Sequence, residues 1–133
     1  MTGRVLALDH GSARCGCALS DPSGTLATPL PMIPRPDDPA GLDAVAAVVS
    51  EREVEQVVVG LPLTLRGEEG EQTRAAREFA DALVERLEVS VELYDERLTT
   101  KMAERSGGGG DADSRAAAHL LESWLAAAKR EAT

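Results

Sequence analysis

The tightest constraint on the fold is the run at residues 5–8, Val-Leu-Ala-Leu, which ends at once in a carboxylate, Asp9. A strand with one wet face alternates apolar and polar side chains, whereas an unbroken apolar run belongs to a strand covered on both faces. A second such run, residues 57–59, is closed by Gly60-Leu61-Pro62. Two strands of this kind require a sheet with helices on either side. The acid matters as much as the run. A carboxylate in low dielectric shifts its pKa or finds a cation. Asp9 is therefore the first candidate for chemistry, although an Asp in a turn can also accept backbone N–H bonds.

A polar turn, His10-Gly11-Ser12-Ala13, leads from Asp9 into a second apolar strand over 14–20, with Asp21 at its end. Gly16 inside that strand has no side chain to pack, which often marks close approach by a backbone or ligand. Asp21-Pro22-Ser23-Gly24 suits a type I turn, and a third strand over about 25–33 should return antiparallel. Prolines at 29, 31, 34, 36 and 39 put that strand at a sheet edge, with an extended linker after it. Pro39 suits the first turn of a helix with Asp37 or Asp38 near its N-cap, Leu42, Val45, Ala46 and Val49 on one face, and an end near Arg52. After a strand over 55–59 and a loop over 63–67, a long helix opens with Glu68, Glu69 and Glu71. It runs to about Leu87 with Ala76, Phe79, Ala80, Leu83 and Leu87 as its apolar stripe.

A last strand over 89–94 meets Asp95-Glu96-Arg97. A short helix over 98–105, a glycine-rich loop over 106–112 and a final helix over about 113–129 complete the chain. The final helix has the stripe Ala117, Leu120, Leu121, Trp124, Leu125. The order predicts an α/β domain over 1–133, a mixed five-stranded sheet with helices on both faces.

Charge and composition narrow the function classes. Net charge is −9 over 133 residues, so bulk electrostatics do not favour a polyanion. Carboxylate-held divalent metal can still bridge an acidic protein to a phosphodiester. Aromatics are only 2%, too few for a base-stacking platform. Cys15 and Cys17 share one strand face, a spacing that suits neither a disulfide nor a four-ligand zinc site. Buried thiols in a reducing cytoplasm are the expectation, and no apolar run approaches the length of a membrane span.

Three acids stand at element ends where one cleft could gather them: Asp9, one of Asp95 and Glu96, and Asp113. Parallel first and last strands would place their C-terminal ends on one edge, the ligand-binding edge of open α/β sheets. Carboxylates there are hard ligands for Mg²⁺ or Mn²⁺. Each acid also has a plainer role. Asp113 could be an N-cap, and Glu96 a partner of Arg97 or Lys101. Period-2 alternation does not separate Asp95 from Glu96, because both faces are covered. His10 beside Asp9 could act as a base or support it. His119, about 240° around the helix from Asp113, reads as structural. The run 107–110 is not a P-loop, since no Lys-Ser or Lys-Thr follows, and neither is the loop at Gly60, whose helix opens with Glu68, Glu69 and Glu71 that repel phosphate. Arg14, Arg66 and Arg97 could reach a phosphate from loops at the same edge.

Four blocks together resemble one family. "LALDHGSARCGCALSD" is similar to the opening motif of the YqgF/RuvX family, "VVVGLPLTLRGEEGEQTRAAREFADAL" to its central block, "YDERLTT" to its DERLTT block and "DADSRAAAHLLESWL" to its closing block, in the family's order. The resemblance implies a ribonuclease-H-like fold and a metal-dependent endonuclease. It places the acidic, metal-holding site on Asp9, Glu96 and Asp113, choosing Glu96 where periodicity does not. Mg²⁺ or Mn²⁺ is the implied cofactor, and Arg14, Arg66 and Arg97 are the residues expected to position substrate. The implied substrate is the 5′ end of precursor 16S ribosomal RNA, with ribosome precursors as partners. The alternatives are a Holliday-junction resolvase acting on branched DNA and a non-catalytic nucleic-acid or ribosome-assembly module of the same fold. A phosphotransferase of the actin-like type would need a second lobe. The expectation is a cytoplasmic protein, monomeric or weakly dimeric. The chain departs from the family pattern at His10, Cys15 and Cys17, and in a short 106–112 loop without a basic residue.

Overall fold

The structure, a computed structural model, describes residues 3–98 and 112–132. Strands β1 (Arg4–His10), β2 (Arg14–Ser20) and β3 (Ala27–Pro34) form an antiparallel meander. Helix α1 (Pro39–Glu51), β4 (Val54–Leu61), α2 (Glu71–Arg86) and β5 (Ser90–Asp95) follow. A 3₁₀ turn over Glu96–Leu98 comes next, and α3 (Ala112–Ala132) is the last described element. The five strands form one sheet in the order β3-β2-β1-β4-β5, with β1, β4 and β5 parallel. The expected mixed sheet is therefore the observed one. Residues 99–105 of the expected short helix and 106–111 of the glycine-rich loop lie outside the described residues.

The apolar runs are buried on both sides, as their composition demands. Leu6, Leu8, Val57 and Val59 face α1 and α2, where Val45, Phe79 and Leu83 complete the core. Val5, Ala7 and Val58 point the other way, against Ala117, Leu121 and Leu125 of α3. On the sheet, Ala7, Gly16 and Ala18 on this side are small, so the start of α3 sits close to β2. Cys15 and Cys17 are buried free thiols on the α1/α2 side. Among the described residues, no helix is long and apolar enough to cross a membrane.

Two of the boundaries that differ from the sequence reading do so because a side chain captures backbone. The third strand starts at Ala27 rather than near residue 25, because the Asp21 carboxylate accepts the N–H groups of Thr25 and Leu26 at 2.7 and 2.9 Å. The Gly24 N–H to Asp21 carbonyl bond of the expected turn is present at 3.0 Å, with Gly24 at φ +73°. Helix α2 starts at Glu71, not Glu68. Gly70 is its N-cap, and the Thr73 hydroxyl accepts the Gly70 N–H and donates to the Pro62 carbonyl. Glu68 and Glu69 belong instead to a small closed turn. The Gly67 N–H bonds the Thr64 carbonyl at 2.8 Å, Leu63 bridges Glu69, and Gly67 has φ +83°.

Candidate active site

Asp9 lies one residue from the end of β1, directly across from Gly16 of β2. Along β1 it follows Val5 and Ala7, so alternation aims it at the α3 side of the sheet. Gly16 is glycine for a steric reason. A Cβ there would lie 1.9 Å from the carbonyl oxygen of Asp113, because the first turn of α3 is laid directly on β2. Ser114, fully buried, locks that docking with its hydroxyl accepting the Cys17 N–H at 3.1 Å. Ser114→Ala is expected to lower stability by about 1–3 kcal/mol, the cost of a buried donor left unpaired. A urea midpoint equal to the parent's would show that this bond does not hold α3 down.

On the other flank of β1, Gly60 of β4 stands one residue beyond the Leu8–Val59 pair. A Cβ at Gly60 would meet the Glu96 carboxylate oxygen at 2.6 Å. Glu96 therefore folds back over the end of β4 toward Asp9, through the 3₁₀ turn that follows β5. Asp95 goes elsewhere, gripped by the Arg97 guanidinium at 2.6 Å. The face shared by Glu92 and Tyr94 already looks to α3, where Tyr94 meets Ser123 and Glu92 accepts from the Trp124 indole N–H. Glu96 continues toward that side, while Leu93 before Asp95 packs toward α2.

The electrostatics follow from this placement. Burial, then the charge of Asp113, push the Asp9 carboxyl up to about 6, against a smaller opposing effect of His10. Burial, then Asp9, then Asp95, push Glu96 up to about 7. Asp113 forms an ion pair with Arg14 at 2.9 Å. Asp9 is thus crowded by the other two acids at the C-terminal edge of the parallel strands. Among the described residues no three His, Cys, Asp or Glu side chains stand as a ready ligand set for a metal ion. Asp113 is turned to Arg14 instead. The donors nevertheless fit a hard divalent cation, being carboxylates only. Two of them are buried against like charge that such an ion would neutralise.

The other candidates separate clearly. His10 points away from Asp9 by alternation. Its Nε2 bonds Asp37 at 2.9 Å and its ring packs on Phe79 at 4.7 Å, so it braces β1 against α2. His119 lies in α3 with Nδ1 3.6 Å from Glu122. Arg97 is held by Asp95 and donates to the Leu65 carbonyl at 3.3 Å. Arg66 is exposed on the 64–67 turn. Sequence reasoning did not find the parts played by Gly60, Ser114 and Asp37. Gly60 had a usable signal, a glycine ending the apolar run 57–59. The other two act through contacts too distant in sequence to show in any local pattern.

Three antiparallel strands followed by two parallel ones, helices on both faces and acids at the shared strand ends define a protein of the ribonuclease-H-like class. A sequence model of the RuvX family, described as Holliday junction resolvase, matches residues 3–127. The chain belongs to this family. A Thermobifida fusca protein named pre-16S rRNA nuclease is 46% identical, over 97% of this chain and 91% of its own. A Myxococcus xanthus protein of the same name is 41% identical, over 92% and 87%. Among solved structures, Thermus thermophilus RuvC in complex with Holliday junction substrate superposes with a TM-score of 0.66 at 15% identity, covering 96% of each chain. Fowlpox virus resolvase with junction DNA gives 0.50 at 8% identity, covering 97% of each. At these identities the structural likeness is one of fold.

Proposed function

We propose that this protein is a metal-dependent endonuclease that processes the 5′ end of precursor 16S ribosomal RNA in the cytoplasm. The observation that carries the reading is the Asp9–Glu96–Asp113 grouping on a ribonuclease-H-like sheet, in a chain whose curated relatives bear the pre-16S rRNA nuclease name. Asp9 and Glu96 would hold Mg²⁺ or Mn²⁺, joined by Asp113 once it leaves Arg14. Such an ion supplies Lewis acidity toward water and the phosphodiester. The protein's own part is to fix the carboxylates. Gly16 and Gly60 leave room for α3 and for Glu96 on either side of Asp9. Arg14 and Arg66 serve the substrate backbone, Arg14 after its release from Asp113. Arg97 contributes indirectly, by holding the 64–67 turn.

The test is cleavage by the purified protein with Mn²⁺, Mg²⁺ or EDTA. One substrate is an RNA carrying the 5′ precursor of 16S ribosomal RNA, the other a synthetic four-way DNA junction. Cutting of the RNA alone, abolished by EDTA, is the expected result. Cutting of the junction alone would replace this reading with that of a resolvase. Binding without cleavage of either would leave a non-catalytic module, a reading that the internal pairing of Arg14 and Arg97 favours.

A further inference from the structure

The turn at residues 64–67 carries a feature that the fold does not need. Its central residue Leu65 is 94% exposed, the most solvent-open of the exposed large apolar side chains among the described residues. Central turn positions ordinarily take Pro, Asn, Asp, Gly or Ser, each of which helps the turn or its solvation. A leucine there does neither. The turn is nonetheless tightly built. Thr64 accepts the Gly67 N–H at its carbonyl (2.8 Å) and the Glu68 N–H at its hydroxyl (3.0 Å), and its own N–H bonds the Glu68 carbonyl at 3.0 Å.

Arg97 then fastens the turn to the site. Its guanidinium donates Nε–H and Nη2–H to the Asp95 carboxylate along one edge, donates from Nη1 to the Leu65 carbonyl at 3.3 Å, and lies over Gly67, where a Cβ would meet it at 3.3 Å. Asp95 and Arg97 are the two neighbours of Glu96. The position of Leu65 is therefore fixed relative to the candidate catalytic acid, not merely to the surface. Arg66, also exposed, stands next to it. Of the two nearest acids on the other side, Glu69 has its charge taken by a two-pronged bond to Arg77.

We propose that Leu65 is a substrate-positioning residue: an apolar finger that meets the face of an unpaired nucleobase beside the cleaved phosphodiester, with Arg66 on the adjoining phosphate. The inference rests on the nuclease reading above and narrows its substrate class. In a duplex the base faces are covered by their neighbours, so a leucine finds an apolar partner only where a base is unstacked or can be pushed out of its stack. The preferred substrate is then a single-stranded or frayed segment rather than a continuous helix. A cation beside an apolar tip also suits a nucleotide better than a lipid or an apolar protein groove, since it meets phosphate and base together.

The experiment compares Leu65→Ser and Leu65→Met with the parent protein. The two substrates share one sequence, a single-stranded RNA carrying 2-aminopurine next to the cleavage point and its full duplex. Steady-state cleavage is followed with Mn²⁺, and 2-aminopurine emission in EDTA. For Leu65→Ser on the single strand, KM is expected to rise about fivefold or more with kcat within twofold. The emission change seen with the parent should be lost. Leu65→Met should restore both, and Leu65→Ser should leave KM on the duplex and the melting temperature unchanged. Parental KM and emission in Leu65→Ser would overturn the inference while leaving the nuclease reading intact. So would an equal loss on single strand and duplex, which would make Leu65 a general surface contact. A parent protein that neither cuts nor perturbs the probe would overturn both.

Discussion

Asp9→Asn is expected to reduce cleavage by about a thousandfold or more, the scale on which a group that stabilises charge in the transition state is missed. The same change is expected to make the metal-free protein more stable at neutral pH. The two effects share one cause. Asp9 is half-buried, and burial, then the charge of Asp113, push its carboxyl up from 3.8 to about 6. A folded-state pKa above the unfolded one means that the native state binds the proton more tightly. Asp9 therefore lends stability that is fully present below about pH 4 and is lost as pH rises through about 6. Glu96 extends the loss through about 7. Asparagine is neutral throughout, so the variant escapes the Asp9 part of this decline. In EDTA its advantage at pH 7.5 should be about 1–3 kcal/mol, vanishing below pH 4. Chemical denaturation at pH 4 and 7.5 reads this directly. A variant less stable than the parent at both values would show that Asp9 is held by favourable contacts and is not a strained acid.

Gly16→Val should lose stability and activity together. The β-carbon would be placed 1.9 Å from the Asp113 carbonyl oxygen, a backbone atom that cannot rotate aside. Either β2 or the start of α3 must move, and with it the Ser114 bond to Cys17. A loss of about 3 kcal/mol is expected, at the upper end for overpacking because backbone meets backbone. In the fraction that remains folded, Asp113 is displaced by an ångström or more, a misplacement that can cost about a hundredfold in rate. Urea unfolding and cleavage at a temperature where the variant is folded separate the two. A parental midpoint would show that α3 is not seated on β2 as described.

These effects also show which parts of the molecule a sequence exposes. The run 5–8 demanded cover on both faces and received it, and Gly16 announced a close approach that proved to be the backbone of α3. Both are consequences of local composition. The choice of Glu96 over Asp95 was not local. Strand alternation ends at Asp95, and the 3₁₀ turn then decides which acid folds over Gly60. Only the likeness of "YDERLTT" to a known block anticipated it. Arg97 read as a cation able to reach a phosphate, and its bond to a carbonyl 32 residues away left no local sign. The early start assigned to α2 has a similar origin. Three acids within four residues, Glu68, Glu69 and Glu71, resemble a first helical turn, but Thr73 and Gly67 reserve two of them for the turn before it.

The seat of α3 on Gly16 has a consequence for the birth of the molecule. Asp9 and Gly16 are synthesised well before α3, and the Cys17–Ser114 bond that completes their surroundings spans 97 residues. The meander β1-β2-β3 can pair as soon as it emerges, since its connections are short. The acid cluster cannot close until the final helix has been made and has returned across the sheet. A nascent chain thus carries Asp9 without the partner that completes it until α3 has been made. On the reading proposed above, cutting power arrives only once α3 has been made and seated, so a chain still lacking α3 cannot attack the ribosomal RNA of the ribosome making it.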